Sequence, residues 1–300
     1  KESIRKNSVY KYQKYLLIGV GGDSGSGKSF FSKDIENLVG FKNLLSLESD
    51  GDHKWEREDL KWKNFTHLNP QANKLHNQFE MLKVLKDGKS VMKSDYDHAR
   101  GKFKKLYKIE PKKLIFLNGL HPYYLPKSRK IMDIKIYMNP DENLRIKWKL
   151  KRDKVDRGYK SKNILAELKR RKFDRNKYII PQKEFADLIF SYSLKSKKNI
   201  KENNLKMKVS LDPDVVLEPL LGDLANIKNL NFKYDFSNDL KKQEIEFNGK
   251  INGKEIHKLA LKHIDSIYDF ISLDVKFLDN YRGLRQLIIL LMINYFINDK

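Results

Sequence analysis

The most specific chemistry in the chain lies in the octet Gly22-Asp23-Ser24-Gly25-Ser26-Gly27-Lys28-Ser29. Glycines at 22, 25 and 27 let the backbone curl until successive N–H groups point inward, and a helix starting near Ser29 adds the partial positive charge of its N-terminus. Such a cradle suits a triphosphate. Lys28 would reach the β- and γ-phosphates and the Ser29 hydroxyl would ligate Mg²⁺. All eight residues are therefore assigned to nucleotide binding, with a nucleoside triphosphate and Mg²⁺ as the expected ligands. A glycine turn arising by chance would lack the flanking elements; here the run Leu16-Leu17-Ile18 precedes the octet and an amphipathic pattern follows it.

Phosphate binding alone does not choose among a GTPase, an ATPase and a small-molecule kinase, so the acceptor machinery must be sought elsewhere. In open α/β sheets ligands bind at the carboxyl ends of strands. One such place is Glu48-Ser49-Asp50-Gly51-Asp52-His53-Lys54, with Arg57 three residues on. It supplies a carboxylate to orient or deprotonate a hydroxyl and cations to offset phosphate charge, although a hydrophilic loop capping the next helix would have a similar composition. A second cluster, Lys149, Asp153 and Arg157, is spaced four apart on one helix face with Arg152 beside it. Periodicity leaves it open whether this is a site or a salt-bridged surface helix. A third place is the end of the run Leu114-Ile115-Phe116-Leu117, followed by Asn118-Gly119-Leu120-His121-Pro122. Many P-loop enzymes hold a metal-positioning carboxylate there, and this chain has Asn118. His53, His98 and His121 share no metal-ligand spacing and read as hydrogen-bonding groups.

The elements that must position these groups follow an α/β pattern. Short, nearly continuous apolar runs at 16–19, 44–47, 114–117, 134–138 and 188–192 predict strands covered on both faces of a mostly parallel sheet. Amphipathic stretches at 29–39, 73–86, 141–156 and 163–173 predict the crossover helices. A Lys-, Asn- and Ser-rich stretch at 193–204 marks a soft boundary, giving a phosphate-loop domain over 1–195 and a smaller α+β extension over 196–300 packed on it. Within the extension, Asn248-Gly249 and Asn252-Gly253 lie in an alternating stretch at 243–256, which predicts antiparallel strands, and helices are expected at 256–270 and 284–297.

Bulk composition narrows the partners. The chain has no cysteine, which excludes disulfides and thiolate chemistry, and no basic-then-apolar secretory start. Its longest apolar run, 287–293, is far short of the roughly 20 residues that span a bilayer. A cytoplasmic protein with no membrane partner is expected. Sixty-two Lys and Arg against 39 Asp and Glu give a net charge of +23, which favours anionic partners. The lysines are spread along the whole chain among Asn and Ile, as on a solvated Lys-rich surface. An RNA-binding role is motivated by that charge alone. No zinc-ligand spacing, basic region joined to heptads or RNA-binding aromatic pattern accompanies it, so no nucleic-acid partner is expected.

With these residues in view, the chain resembles the phosphoribulokinase and uridine kinase family, and its phosphoribulokinase branch more closely. Besides the octet, the resemblance rests on Glu48-Ser49-Asp50 with His53 and Arg57, on Tyr96-Asp97-His98, and on Gly119-Leu120-His121-Pro122. It continues through Trp148-Lys149-Leu150-Lys151-Arg152-Asp153 with Arg157-Gly158, then Tyr178-Ile179, Pro181-Gln182 and Ala186-Asp187. It implies a P-loop kinase fold and transfer of the ATP γ-phosphate to a hydroxyl of a small sugar, sugar phosphate or polyol. It further implies Asp50 as the base, Asp153 at the Mg-ATP and transfer site, and Arg152 as stabiliser of the transferring group beside Lys28. Ser29, Asp50 and Asp153 would share the metal. His53, Arg57, Lys149 and Arg157 match positions associated with a sugar phosphate, and Asp52, Tyr96, His98 and His121 complete the substrate set. A homo-oligomer, as a dimer, is implied as well. Two departures stand out: Asn118 replaces the family's usual glutamate, and Asp50-Gly51-Asp52-His53-Lys54 replaces Asp-Ser-Phe-His-Arg, making Asp52 a rival base. A nucleoside kinase and a catalytically weak ATP-binding relative are the alternative readings.

Overall fold

The computed structural model describes residues 15–97, 99–156, 158–195, 205–265, 267–272 and 274–299. Strand β1 (Leu16–Gly21) runs into the glycine loop and helix α1 (Lys28–Val39), followed by β2 (Leu44–Glu48) and, after an irregular stretch, α2 (Leu75–Lys86). Four short strands, β3 (Val91–Lys93), β4 (Tyr96–Asp97), β5 (Lys102–Phe103) and β6 (Tyr107–Ile109), pair as two small ribbons. Next come β7 (Leu114–Asn118), α3 (Pro126–Ile131), β8 (Ile134–Pro140), α4 (Glu142–Val155), α5 (Ser161–Arg170), α6 (Lys172–Asp174) and β9 (Leu188–Leu194). The last third contains β10 (Leu205–Leu211), α7 (Glu218–Ala225), β11 (Leu230–Phe236), β12 (Gln243–Gly249), α8 (Gly253–His263) and α9 (Asn280–Asp299).

The main sheet has the order β11-β12-β10-β9-β8-β1-β7-β2. Pairings from β9 through β2 are parallel, and those from β9 out to β11 are antiparallel. The apolar strands read as expected because both faces are covered. Leu16, Ile18 and Val20 join one core with Phe31 and Ile35 of α1 and Leu287 of α9, while Leu17 joins the other with Leu82 and Leu85 of α2. Gly19 and Gly21 leave room for Tyr123: a Cβ on Gly21 would lie 2.7 Å from its hydroxyl, which donates to the Ile136 carbonyl at 2.9 Å. Each face thus reads as a helix-covered layer of an α/β fold.

The five expected strands are present, each extended by one or two residues; of the crossover helices, that at 29–39 gains one residue, those at 73–86 and 141–156 each lose two, and that at 163–173 is divided between α5 and α6. In the last third antiparallel pairing and both helices are present, the first helix ending at 263 instead of 270, but the expected turns do not join strands. Asn252 does not turn a hairpin; it caps α8, accepting from the Glu255 N–H at 2.9 Å while the Glu255 carboxylate accepts from the Asn252 N–H at 3.1 Å. A capping box satisfies two orphan donors at once, so it wins over a turn. The hairpin is instead made by β11 and β12 through 237–242, and β10 completes the antiparallel part of the sheet. Strands β10 and β11 carry the alternation of half-buried strands, LKMKVSL and LNFKYDF, a strand signal outside the expected elements. The apolar run at 287–293 is a buried segment of α9, and no helix among the described residues is long and apolar enough to cross a membrane.

Helix α9 is fixed to α1 through Asp34, which is 2% exposed. Its carboxylate accepts from Arg282 Nε at 3.1 Å and Nη2 at 2.6 Å and from Arg285 Nη2, and its carbonyl accepts from Gln286 Nε2 at 2.8 Å. Removing one partner of such a network strands the other buried charges, at about 3–5 kcal/mol. Asp34→Ala should lower unfolding stability by about that amount in a urea titration; a loss below about 1 kcal/mol would show that Arg285 finds another partner.

Candidate active site

Between β1 and α1 the loop takes the curled form its glycines allow. A Cβ on Gly22 would lie 2.7 Å from the Met138 carbonyl, and one on Gly25 would lie 2.8 Å from Lys149 Cβ, so bare backbone is required at both. Lys28 Nζ donates to the carbonyls of Gly22 at 2.8 Å and Asp23 at 2.9 Å, curling back over the loop. Ser26 Oγ is buried and has no hydrogen-bond partner, an orphan that a phosphate oxygen would satisfy. Ser29 is exposed at the first turn of α1 and lines the cleft above the loop.

Asp23 braces the loop from behind. Its carboxylate meets Arg145 Nη1 at 3.1 Å and Arg175 Nε at 2.6 Å. Arg145 also donates to the Ser24 carbonyl at 2.9 Å, and Glu142 ties both arginines together at 2.7 Å each. Gly22 and Asp23, assigned to the nucleotide from sequence, lie outside the cleft lining, whereas Ser24 to Ser29 lie within it. Spacing alone could not separate loop residues that face a ligand from those that hold the loop.

Helix α4 carries Lys149, Arg152 and Asp153 of its predicted cluster toward the loop. Lys149 Nζ lies 2.5 Å from Asp153 Oδ2, and Arg152 meets Asp153 Oδ1 through Nε at 2.9 Å and Nη2 at 2.7 Å. Lys149 Nζ and Arg152 Nη2 each reach Ser24 Oγ at 3.3 Å. Burial would raise the Asp153 pKa, but the hydrogen bond and charge of Lys149 and the charge of Arg152 outweigh it and hold the carboxyl below its ordinary value. Burial pushes the Lys149 ammonium down to about 8 against the pull of Asp153. Two cations and one carboxylate therefore stand at the phosphate loop.

The far wall comes from the segment after β2. Ser49–Asp52 form a 3-10 turn that places the backbone of Asp50 at the carboxyl end of the strand; its side chain, and the residues His98 and Arg157, lie outside the described residues. Asp52 accepts from Gln78 Nε2 at 2.6 Å and sits 3.7 Å from Lys93 Nζ. His53 is buried with its ring 4.3 Å from Tyr96 and 5.6 Å from Trp62, and Trp62 in turn packs on His67 at 3.9 Å. Asp52, His53, Arg57 and Tyr96 share the cleft with the loop and α4, within a volume of about 960 Å³. His121 also lines it; its Nε2 lies 2.9 Å from the Leu68 carbonyl. Since that carbonyl can only accept, Nε2 carries the proton. Burial, reinforced by the Lys28 charge, pushes the His121 pKa to about 3 and keeps the ring neutral.

Asn118 is fully buried behind this wall, accepting from Ser32 Oγ at 2.6 Å and donating to Ser46 Oγ at 3.1 Å. The amide holds both hydroxyls without placing a charge in the buried site, accepting from one and donating to the other. Its neighbour in the parallel register is Glu48, which is exposed and lines the cleft. No group of three or more His, Asp or Glu suited to a metal occurs among the described residues. Sequence reasoning missed Arg145, although it continues the four-residue spacing back from Lys149. It also missed Arg175, Trp62 and His67, which no local pattern announces, and the pair Arg170 and Arg171, which line the cleft around Glu167.

Residues 17–198 match the Phosphoribulokinase / Uridine kinase family. The phosphoribulokinase of Synechocystis sp. is 38% identical over 174 residues, covering 58% of this chain and 52% of that protein. In sequence, the chain spans about half the length of the curated phosphoribulokinases it matches. The uridine kinase of Clostridium perfringens is 31% identical over 180 residues, covering 58% of this chain and 86% of that protein. The solved structure of phosphoribulokinase from Rhodobacter spheroides superposes with a TM-score of 0.65 at 20% identity, over 96% of this chain and 99% of that one, a likeness of fold. With the family match covering more than half of its length and the loop, sheet order and α4 cluster in place, the chain belongs to the phosphoribulokinase and uridine kinase family.

Proposed function

We propose that this protein transfers the γ-phosphate of ATP to a hydroxyl of a small sugar, sugar phosphate or polyol. The observation that carries the reading is the convergence, in one cleft, of the glycine loop, the Lys149-Arg152-Asp153 face and the Asp52-His53-Arg57-Tyr96 wall. In-line transfer needs a phosphate cradle and an acceptor pocket facing each other across the reacting atoms. The orphan Ser26 hydroxyl and the bare loop glycines fit a bound triphosphate. Mg²⁺ would offset charge on the phosphate oxygens, held by Ser29 with Asp50 and Asp153. Glu48 adds a carboxylate at the same mouth, where Asn118 supplies no charge. Asp50 is assigned as base for the acceptor hydroxyl, Arg152 as stabiliser of the phosphoryl group, and Arg57 and Lys149 as cations for an anionic acceptor. The residues His98 and Arg157 belong to this set by family resemblance. The aromatic wall of His53, Tyr96, Trp62 and His67 favours one second reading, an acceptor with a ring to stack, as in a nucleoside.

A panel of pentose phosphates, free sugars and nucleosides, scored by ATP consumption, separates these readings: turnover on a sugar or sugar phosphate is expected, and turnover on nucleosides alone would overturn the assignment. Asp50→Asn should lower kcat about 10²- to 10⁴-fold, as for a positioned base, with near-normal turnover removing Asp50 from that role. Arg57→Ala should chiefly raise KM for a phosphorylated acceptor, measured against an unchanged KM for ATP. Lys149 is charged below pH about 8 and neutral above it, so affinity for an anionic ligand should fall as pH rises from 7 to 9. Titration calorimetry across that range should show the fall in the wild type and a flatter profile in Lys149→Met.

A further inference from the structure

The cleft extends from the glycine loop in two directions. Toward β7 and β2 it is walled by Glu48, Asp52, His53 and His121; toward β8, β9 and β10 it is walled by Met138, Trp148, Tyr192, Leu205 and Tyr281. The first arm contains the residues assigned to the acceptor. Because the γ-phosphate must face the acceptor, the nucleoside end of a triphosphate lying on the loop extends into the second arm. That arm has a different character. Trp148 stands against the loop, 3.7 Å from where a Cβ on Gly27 would lie. Its ring is 6.0 Å from Tyr192, and Tyr192 is 5.7 Å from Tyr281, the two contacts tilted at 59° and 67°. Trp148 and Tyr281 are half-buried and face this arm, backed by the buried Tyr192, Met138 and Leu205, so two rings present the kind of surface on which a planar heterocycle stacks.

Two of these residues, Leu205 and Tyr281, come from the last third of the chain, beyond the 17–198 match. Their position is not accidental to the fold. Arg282, next to Tyr281, and Arg285, one turn on, bind Asp34 of α1, the helix whose first turn closes the phosphate loop. Arg282 also covers the ring of Phe30, another residue lining the cleft, at 4.5 Å. The start of α9 is therefore held in register with the loop by buried charge pairs.

We propose that the last third of the chain completes the nucleotide site, with Tyr281 and Leu205 joining Trp148 to bind the purine base. The inference rests on the triphosphate reading of the loop and adds the base end to it.

The test is titration calorimetry of the full chain with ATP and with inorganic tripolyphosphate, both with Mg²⁺. Tyr281→Ala should weaken ATP roughly 5- to 150-fold, the range expected for loss of one stacking ring, and leave tripolyphosphate within about twofold. Tyr281→Phe should bind ATP like the wild type. Unchanged ATP affinity in Tyr281→Ala, or equal losses for both ligands, would overturn the proposal. Should Tyr281→Ala fail to fold, the wild type decides: nuclear Overhauser contacts from the adenine H2 and H8 protons to the Tyr281 ring support it, and contacts to His53 or Tyr96 refute it. A wild type that binds neither ligand overturns the triphosphate reading itself. One that binds tripolyphosphate as tightly as ATP overturns only the base site.

Discussion

A carboxylate taken out of water is tolerated only where cations and hydrogen-bond donors surround it, and the neighbourhood of the phosphate loop contains three. Asp23, Asp34 and Asp153 are 6%, 2% and 2% exposed. Each has two arginines, or an arginine and a lysine, around it, and each pair fixes a different joint. Asp23 locks the loop to α4 and to Arg175; Asp34 locks α1 to α9; Asp153 sets the heads of Lys149 and Arg152 toward Ser24. The geometry of the cleft depends on this shared constraint, because the loop backbone itself is too rich in glycine to hold one shape unaided.

The same pairs govern how charge is used. Most of the net +23 belongs to lysines spread over the whole chain, where water and salt screen them. The cations at the loop are few, but they are buried or half-buried and held by partners, so they act in a medium where each charge counts for more. Lys149 shows the tension in such an arrangement: burial costs the ammonium more than Asp153 returns, so its proton is held less tightly than that of a surface lysine. An arriving phosphate would be a further partner for it.

Much of the site was legible before the structure because it is written in local terms. The octet combines a glycine pattern with a strand before it and a helix after it, and both flanks depend only on nearby residues. The face bearing Lys149 and Asp153 follows from a four-residue spacing on one helix, and Arg145 could have been added by extending that spacing. Asn118 was readable as a missing charge, although its pairing with Ser32 and Ser46 was not. In the last third local signals misled: Asn252-Gly253 is a good turn and an equally good helix start, and only the reciprocal bonds with Glu255 decide between them.

The sequence by itself determined the phosphate loop, the parallel α/β core and the cationic face of α4, since backbone freedom, apolar period and helical spacing are properties of contiguous residues. Only the tertiary structure decided that Asp23 faces arginines rather than the cleft, that Trp62 and His67 stand beside His53, and that Tyr281 of the final helix reaches the arm next to Trp148. These are contacts between elements distant along the chain. They depend on sheet order and on buried ion pairs, such as Asp34 with Arg282 and Arg285, whose partners lie more than two hundred residues apart and leave no trace in any local pattern.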